Sequence, residues 1–482
     1  MDTLIILGVL VILMTGLSKA AGNPVGHSER FRRRRLFNWL PLGLTYAFLY
    51  MGRYNLTVSK NAFGDALMTK QDFGLIFAAG TVTYAFSFLI NGPLIDRIGG
   101  TKGIIIGAYG SAIMNSALGV LTYLLLNGTI QVNLVAAFSV IYALNMYFQS
   151  YGAVSIVKVN ANWFHVRERG SFSGIFGMLI SLGIYFAFDW GKAVVDATNV
   201  VAPKSIGIFQ GVLRSLLVGD GVTVNQTWWV FFMPAVVLTL FATLDLLILR
   251  DTPAQAGLEN FDTADASSGD EDEEFSLVKL LKQILTNKTI LIIAAIEFCS
   301  GVMRNGVMHW YPIYAKEMEV AETFFFRAHW GLVLAIAGIS GGVFAGFISD
   351  KVFGSRRGPV AALLYGSMTA LTVGMVFVLK ADFALGVVVS VMSMAVIGVH
   401  GMLSGTATMD FGGRKAAGTA VGVIDGFVYL GTGLQSFSLG FLTSKSWRYW
   451  PVFLIPFAVL GTALAIKIWF AFPGPAKGKG SH

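Results

Sequence analysis

The chain has 482 residues, 55% of them hydrophobic and only 13% charged, with a mean hydropathy of +0.67. Soluble domains carry about 25% charged residues, so the composition excludes a soluble globular protein and indicates an integral membrane protein. The net charge of +8 sits in short loops between apolar runs, which speaks against a nucleic-acid partner, and the lone Cys299 excludes an internal disulfide.

The segment MDTLIILGVLVILMTGLSKAAG opens the chain. Its apolar part has no basic residues ahead of it, and Lys19 and the arginines follow. That order predicts an extra helix or a short interfacial anchor rather than a cleaved leader. Residues 1–35 are therefore a hydrophobic segment plus a basic stretch. Twelve helices are expected next, near 36–58, 72–95, 103–125, 131–157, 170–193 and 226–249, then 287–311, 327–349, 358–379, 382–408, 415–442 and 447–473. Their continuous apolar runs suit helices rather than the alternating strands of a barrel. The two groups define bundles over 36–249 and 287–473, joined by a linker at 250–286 and followed by a tail at 474–482. The linker centre, FDTADASSGDEDEE, has the composition of a disordered tether, and Phe275 to Leu285 reads as an amphipathic surface helix. Basic residues mark one set of loops: Arg30 and Arg32 to Arg35, Arg97 with Lys102, Arg167 with Arg169, Lys351 with Arg356 and Arg357, and Arg414 with Lys415. By the positive-inside rule these loops face the cytoplasm of a multi-pass protein in the cytoplasmic (inner) membrane.

The groups of six repeat each other. The loop after the second helix reads Gly92-Pro-Leu-Ile-Asp96-Arg97-Ile-Gly-Gly-Thr-Lys102, and that after the eighth reads Gly346-Phe-Ile-Ser-Asp350-Lys351. Asp96 and Asp350 are 254 residues apart, and the intramembrane arginines Arg53 and Arg304 are 251 apart. A near-constant offset implies duplicated six-helix bundles with a site where they meet. Asp96, Arg97, Asp350 and Lys351 are expected to make and break a charge network as the halves move.

Arg53 and Arg304 each lie deep inside an apolar segment, where a guanidinium costs about 2.5–3.5 kcal/mol even on mild insertion scales. The permanently charged planar fork matches a phosphate or carboxylate. Tyr46, Tyr50, Arg53 and Thr57 form one helical stripe; Glu297, Ser300, Gly301 and Arg304 a second; Asp425, Tyr429, Thr432 and Ser436 a third. Lipid cannot satisfy such stripes, so they face a bundle interior or a wet cavity. Glu297 lies two turns, about 10.5 Å, from Arg304 and is expected to pair with it when the site is empty. His400 belongs to the residue type that ordinarily titrates nearest physiological pH. Asp425 can meet substrate hydroxyls or neutralise an arginine.

The paired glycine–aspartate–basic loops resemble the signature of the major facilitator superfamily. Arg304-Asn-Gly306-Val-Met-His-Trp310-Tyr-Pro312-Ile-Tyr314-Ala-Lys316-Glu317 is similar to the seventh helix of the organophosphate:phosphate antiporter family, which includes bacterial glycerol-3-phosphate and hexose-phosphate transporters. Arg53-Tyr-Asn55, Phe148-Gln149 with Gly152, Glu168-Arg169-Gly170, Arg250-Asp-Thr-Pro253 and Lys415-Ala-Ala-Gly418-Thr419 with Tyr429-Leu-Gly431 extend the likeness over about residues 36–470. The resemblance implies an all-α major facilitator fold of two pseudo-symmetric bundles. It further implies that Arg53 and Arg304 grip phosphate while Tyr46, Tyr50, Gln149 and Tyr429 line the same cavity. The pattern breaks at Phe88, Ile180 and Ala335, where glycerol-3-phosphate transporters carry a lysine, a histidine and a glutamate, and Glu297, His400 and Asp425 add ionisable groups. The expected function is exchange of an organic phosphate for inorganic phosphate by alternating access, in a monomer in the bilayer without metal or cofactor. Proton-coupled uptake of another organic anion, resting on Glu297, His400 and Asp425, stays open, as does a transporter-like sensor. No GxxxxGK[ST] loop marks a nucleotide-driven pump, and no nucleophile–base or metal-ligand set marks an enzyme.

Overall fold

The computed structural model describes residues 23, 25–201, 207–219, 223–263, 286, 288–353 and 356–470, with 166–167, 169–176, 289, 350 and 404–421 described by backbone alone. The expected N-terminal apolar helix, the acidic linker centre and the amphipathic Phe275 to Leu285 helix lie outside the described residues. So do the side chains of Asp350, Arg169, Arg414 and Lys415.

Among the described residues all regular structure is helical. The first half contains α1 (Glu29–Phe63), α2 (Lys70–Ile98), α3 (Gly100–Leu126), α4 (Leu134–Trp163), α5 (Val166–Tyr185), a π turn (Phe186–Trp190), α6 (Gly191–Thr198), α7 (Ile208–Leu217) and α8 (Trp229–Ile248). The second half contains α9 (Lys288–Met308), α10 (Trp310–Glu317), α11 (Phe325–Ala328), α12 (Trp330–Lys351), α13 (Arg357–Val378), α14 (Asp382–Lys445) and α15 (Tyr449–Lys467). Local chemistry sets several ends. Ser28 accepts the Phe31 N–H to start α1, and Thr69 with Asp72 forms a capping box on α2. Three features depart from the sequence expectation. The basic residues from Arg30 to Arg35 belong to α1 rather than preceding it, α7 is an additional short helix, and the seventh expected helix breaks at His309 into α9 and α10.

The expected pair 382–408 and 415–442 is one continuous helical run, α14. A straight helix of 64 residues would place its ends about 96 Å apart. Yet Tyr314 donates to the Leu379 carbonyl just before α14 and packs its ring 5.1 Å from that of Trp447 just after it. Both ends therefore lie on the same side, and the chain reverses within the run. Its two legs do the work of two membrane helices.

Nine described helices are long and apolar enough to cross a membrane; α1 and α4 are not among them. Those two carry Arg53 and Gln149 and bury many polar side chains, which lowers their hydropathy.

Where the halves meet, α2 crosses the second leg of α14 at Gly74 and Gly440. A β-carbon at Gly74 would stand 2.5 Å from the Ser436 carbonyl oxygen, so only glycine permits this approach. Hydrogen bonds and ion pairs joining the halves among the described residues lie at Arg53 or toward the side away from the basic loops. There Lys70 pairs with Glu317 at 2.8 Å and donates to the Thr443 carbonyl at 3.0 Å. Lys316 donates to the Asn61 carbonyl. Asp189, in the π turn, accepts the Gly331 and Leu332 N–H groups at 2.8 and 3.0 Å. A carboxylate from one half thus satisfies the otherwise orphaned first turn of α12 in the other. The molecule is closed on that outer side.

Candidate functional site

Arg53 is positioned before it meets any ligand. The α1 backbone around it is held by α3 and α4: Tyr142 donates to the Arg53 carbonyl at 2.9 Å, and Asn145 and Asn115 donate to the Gly52 carbonyl at 2.9 and 3.2 Å. Ser111 donates to Asn145 and accepts from Gln149, so this polar layer is internally satisfied.

The Arg53 side chain is fully buried. Its Nη1 donates to the Tyr429 hydroxyl at 2.7 Å, its Nη2 to the Tyr84 hydroxyl at 2.9 Å, and Nε and Nη2 reach Gln149 Oε1 at 3.4 and 3.3 Å. The guanidinium also lies over the Tyr50 and Tyr84 rings, 4.7 and 4.6 Å from their centroids. No carboxylate touches it among the described residues. A full positive charge is therefore held by neutral oxygens and π faces alone, a geometry that leaves the charge available to an anion.

Arg304, on α9, lies beside the same aromatic groups: Tyr50, Tyr54, Tyr429 and Asp425 are close enough to act on it electrostatically. It makes no hydrogen bond or ion pair among the described residues, and its Nε is buried without a partner. The two arginines thus approach one cluster of tyrosines from opposite halves, and neither is locked by a carboxylate.

The other candidate residues distribute as follows. Tyr50 and Tyr429 lie against Arg53, Gln149 bonds to it, and Tyr46 stands one turn away with its ring edge-on to Tyr50 at 5.4 Å. Glu297 does not pair with Arg304 as expected; its Oε2 lies 2.7 Å from His400 Nδ1. Two turns of helix separate it from Arg304, whereas His400 faces it directly from α14. Asp425 faces Arg304 and Tyr84. Thr57 and Thr432, read as cavity stripe residues, instead serve a chain across the seam: Thr57 to His309 at 2.7 Å, His309 to Asn305 at 3.1 Å, and Asn305 to Thr432 at 2.8 Å. Ser300 accepts from the Tyr365 hydroxyl, and Gly301 packs against the Val428 carbonyl. In the first charged loop Asp96 pairs with Lys158 of α4 at 2.9 Å, not with Arg97, which is exposed, as is Lys351. Among the described residues no group of three His, Cys, Asp or Glu side chains could hold a metal ion.

Sequence reasoning missed Tyr84, His309 and Asp189. Tyr84 lies alone among apolar neighbours on α2, with no polar stripe to flag it. Asp189 acts through a π turn that helical periodicity does not reveal. His309 had one signal, its place six residues before the Tyr314 to Glu317 stretch that links the halves.

A family model described as Major Facilitator Superfamily matches residues 42–436. The glycerol-3-phosphate transporter of Bacillus subtilis is 27% identical, covering 92% of this chain and 97% of the relative. A probable hexose phosphate transport protein of Chlamydia trachomatis is 24% identical, with 92% of each chain covered, and the membrane sensor protein UhpC of Salmonella typhimurium is 23% identical over the same shares. Among solved structures, a bacterial homologue of the human lysosomal transporter Spinster superposes with TM-score 0.68 at 15% identity, covering 92% of this chain and 99% of the other.

Proposed function

Because this chain belongs to the Major Facilitator Superfamily, we propose that it exchanges an organic phosphate for inorganic phosphate across a cytoplasmic membrane by alternating access. The observation that carries the reading is the pairing of Arg53 with an unpartnered Arg304 around one tyrosine cluster at the seam of the halves. Relatives named for glycerol-3-phosphate and hexose phosphate support the phosphate ester class.

Two like charges in a low-dielectric site repel and stay incompletely compensated while the site is empty. A phosphate dianion accepting from both forks offsets that cost and draws the halves together. Reorientation of the loaded carrier then meets a lower barrier than reorientation of the empty one, which makes transport an exchange. Tyr50, Tyr84, Gln149 and Tyr429 hold the Arg53 fork so that the anion replaces hydroxyl partners rather than ordering a free side chain. On the outer side, the Lys70–Glu317, Lys316–Asn61 and Asp189–α12 contacts must open in each cycle.

The test is counterflow of labelled phosphate in proteoliposomes preloaded with unlabelled phosphate. Uptake of label against no net gradient is expected, competed by glycerol-3-phosphate, glucose-6-phosphate, phosphoglycerate or phosphoenolpyruvate. Saturable phosphate binding without flux would instead favour a sensor, and absence of both would end the reading.

A further inference from the structure

The exchange cycle gives the Glu297–His400 pair nothing to do. Their contacting atoms are 2.7 Å apart, with the Glu297 side chain fully buried and His400 21% exposed. The second carboxylate oxygen, Oε1, is buried with no partner. The groups that face this pair offer it no fixed countercharge at contact. From α13 the Tyr365 hydroxyl turns to the Ile296 carbonyl and to Ser300. Cys299, on the same helix, is a buried thiol. Arg304 lies two turns further along α9, about 10.5 Å away along the axis. From the second leg of α14, Asp425 faces Arg304.

A carboxylate–imidazole pair in such surroundings holds a proton as a unit. With one shared proton it is formally neutral overall; without it, the pair carries a net negative charge that burial disfavours. The neighbouring arginines decide between these states. While the arginine site is empty, its two positive charges favour the deprotonated, negative pair. Once a phosphate neutralises the arginines, that benefit disappears and the pair favours its proton.

Resting on the anion reading above, we infer that Glu297–His400 is a proton-binding site that loads as phosphate occupies the arginines, so that the carrier moves a proton with its anion. Linkage makes the effect reciprocal: a protonated pair strengthens anion binding by the same factor. The half-exposed imidazole is the entry point from water, and the enclosed carboxylate is the store. The proton comes from water on the loading side and returns to water on the other side as the anion leaves. Net accumulation driven by a pH gradient then accompanies exchange.

The experiment uses the full-length purified protein with inorganic phosphate as probe. Titration calorimetry at neutral pH in two buffers of different ionisation enthalpy counts protons taken up per phosphate bound. The titration of phosphate itself is common to every variant. Wild type is expected to take up close to one proton more per phosphate than Glu297→Gln, with His400→Gln matching Glu297→Gln. Equal counts in all three would overturn the proton site. Should Glu297→Gln not fold, His400→Gln is read in proteoliposomes holding a pH-sensitive dye. Lumenal acidification per labelled phosphate carried must fall relative to wild type, and an unchanged ratio overturns the inference. Wild-type protein that neither binds nor exchanges phosphate defeats the anion reading and this inference with it. Phosphate binding without extra proton uptake defeats the inference alone.

Discussion

Replacing Arg53 by lysine keeps the positive charge and removes the fork. Arg53 makes short bonds to Tyr429 and Tyr84 and two longer ones to Gln149 from three nitrogens pointing in different directions. One ammonium at the end of a flexible stem cannot reach hydroxyls on α2 and on α14 at once while also contacting an anion. Hydrogen bonds to charged groups are worth about 1.5–3 kcal/mol each, and a lysine recovers one of the two short bonds, so the net loss is about 1.5–3 kcal/mol. At about 1.4 kcal/mol per factor of ten, exchange should fall about 10- to 150-fold. The assay is labelled-phosphate counterflow, normalised to folded protein by size-exclusion profile and thermal midpoint. Arg53→Lys protein that is well folded and exchanges at more than half the wild-type rate would refute the reasoning, because charge alone would then suffice. Arg304→Lys should show a comparable loss without the structural component, since Arg304 has no described hydrogen-bond partner to forfeit.

The Lys70–Glu317 pair closes the outer side, but Glu317 is 38% exposed, so solvent screening holds its worth to about 0.2–1 kcal/mol. Reversing either charge should raise outside labelling of a cysteine placed at Phe77, in a Cys299→Ala background, by no more than about fivefold. The double reversal should restore the wild-type rate, and strictly additive effects would show that the pair is not a latch. On the opposite side, His27 stacks on Phe31 at 4.3 Å and lies 3.3 Å from Glu168 Oε2, which also accepts from Arg35. Burial holds the His27 imidazole below its ordinary range despite Glu168, while Glu168 itself is held low because Arg35 outweighs the effect of its burial. Folding therefore favours neutral His27, and its contribution to stability is lost as pH falls through the unfolded value near 6.5. The Glu168 contribution persists until pH falls below about 4.5. Thermal midpoints measured between pH 7.5 and 5.5 should thus decline, with a flatter decline in His27→Gln; identical slopes would exclude His27 as the source.

The sequence by itself determined the membrane setting, the helical class and the duplication, because each is written in local quantities. Continuous apolar runs need no partner to be recognised, and lipid forces their backbones to bond internally. The arginines were equally legible, since a permanent charge inside an apolar run is costly wherever the run ends up. What surrounds each arginine was not legible, because contacts between helices depend on rotation and depth that periodicity leaves free. Only the tertiary structure put Tyr84 on the Arg53 fork and turned Glu297 to His400 instead of Arg304. It likewise spent Thr57 and Thr432 on a bridge through His309, and placed Asp189 at the start of a helix in the other half. A polar stripe tells which side of a helix avoids lipid. Which polar group it meets is fixed by packing among several helices at once, and small glycines such as Gly74 and Gly440 set how closely those helices approach.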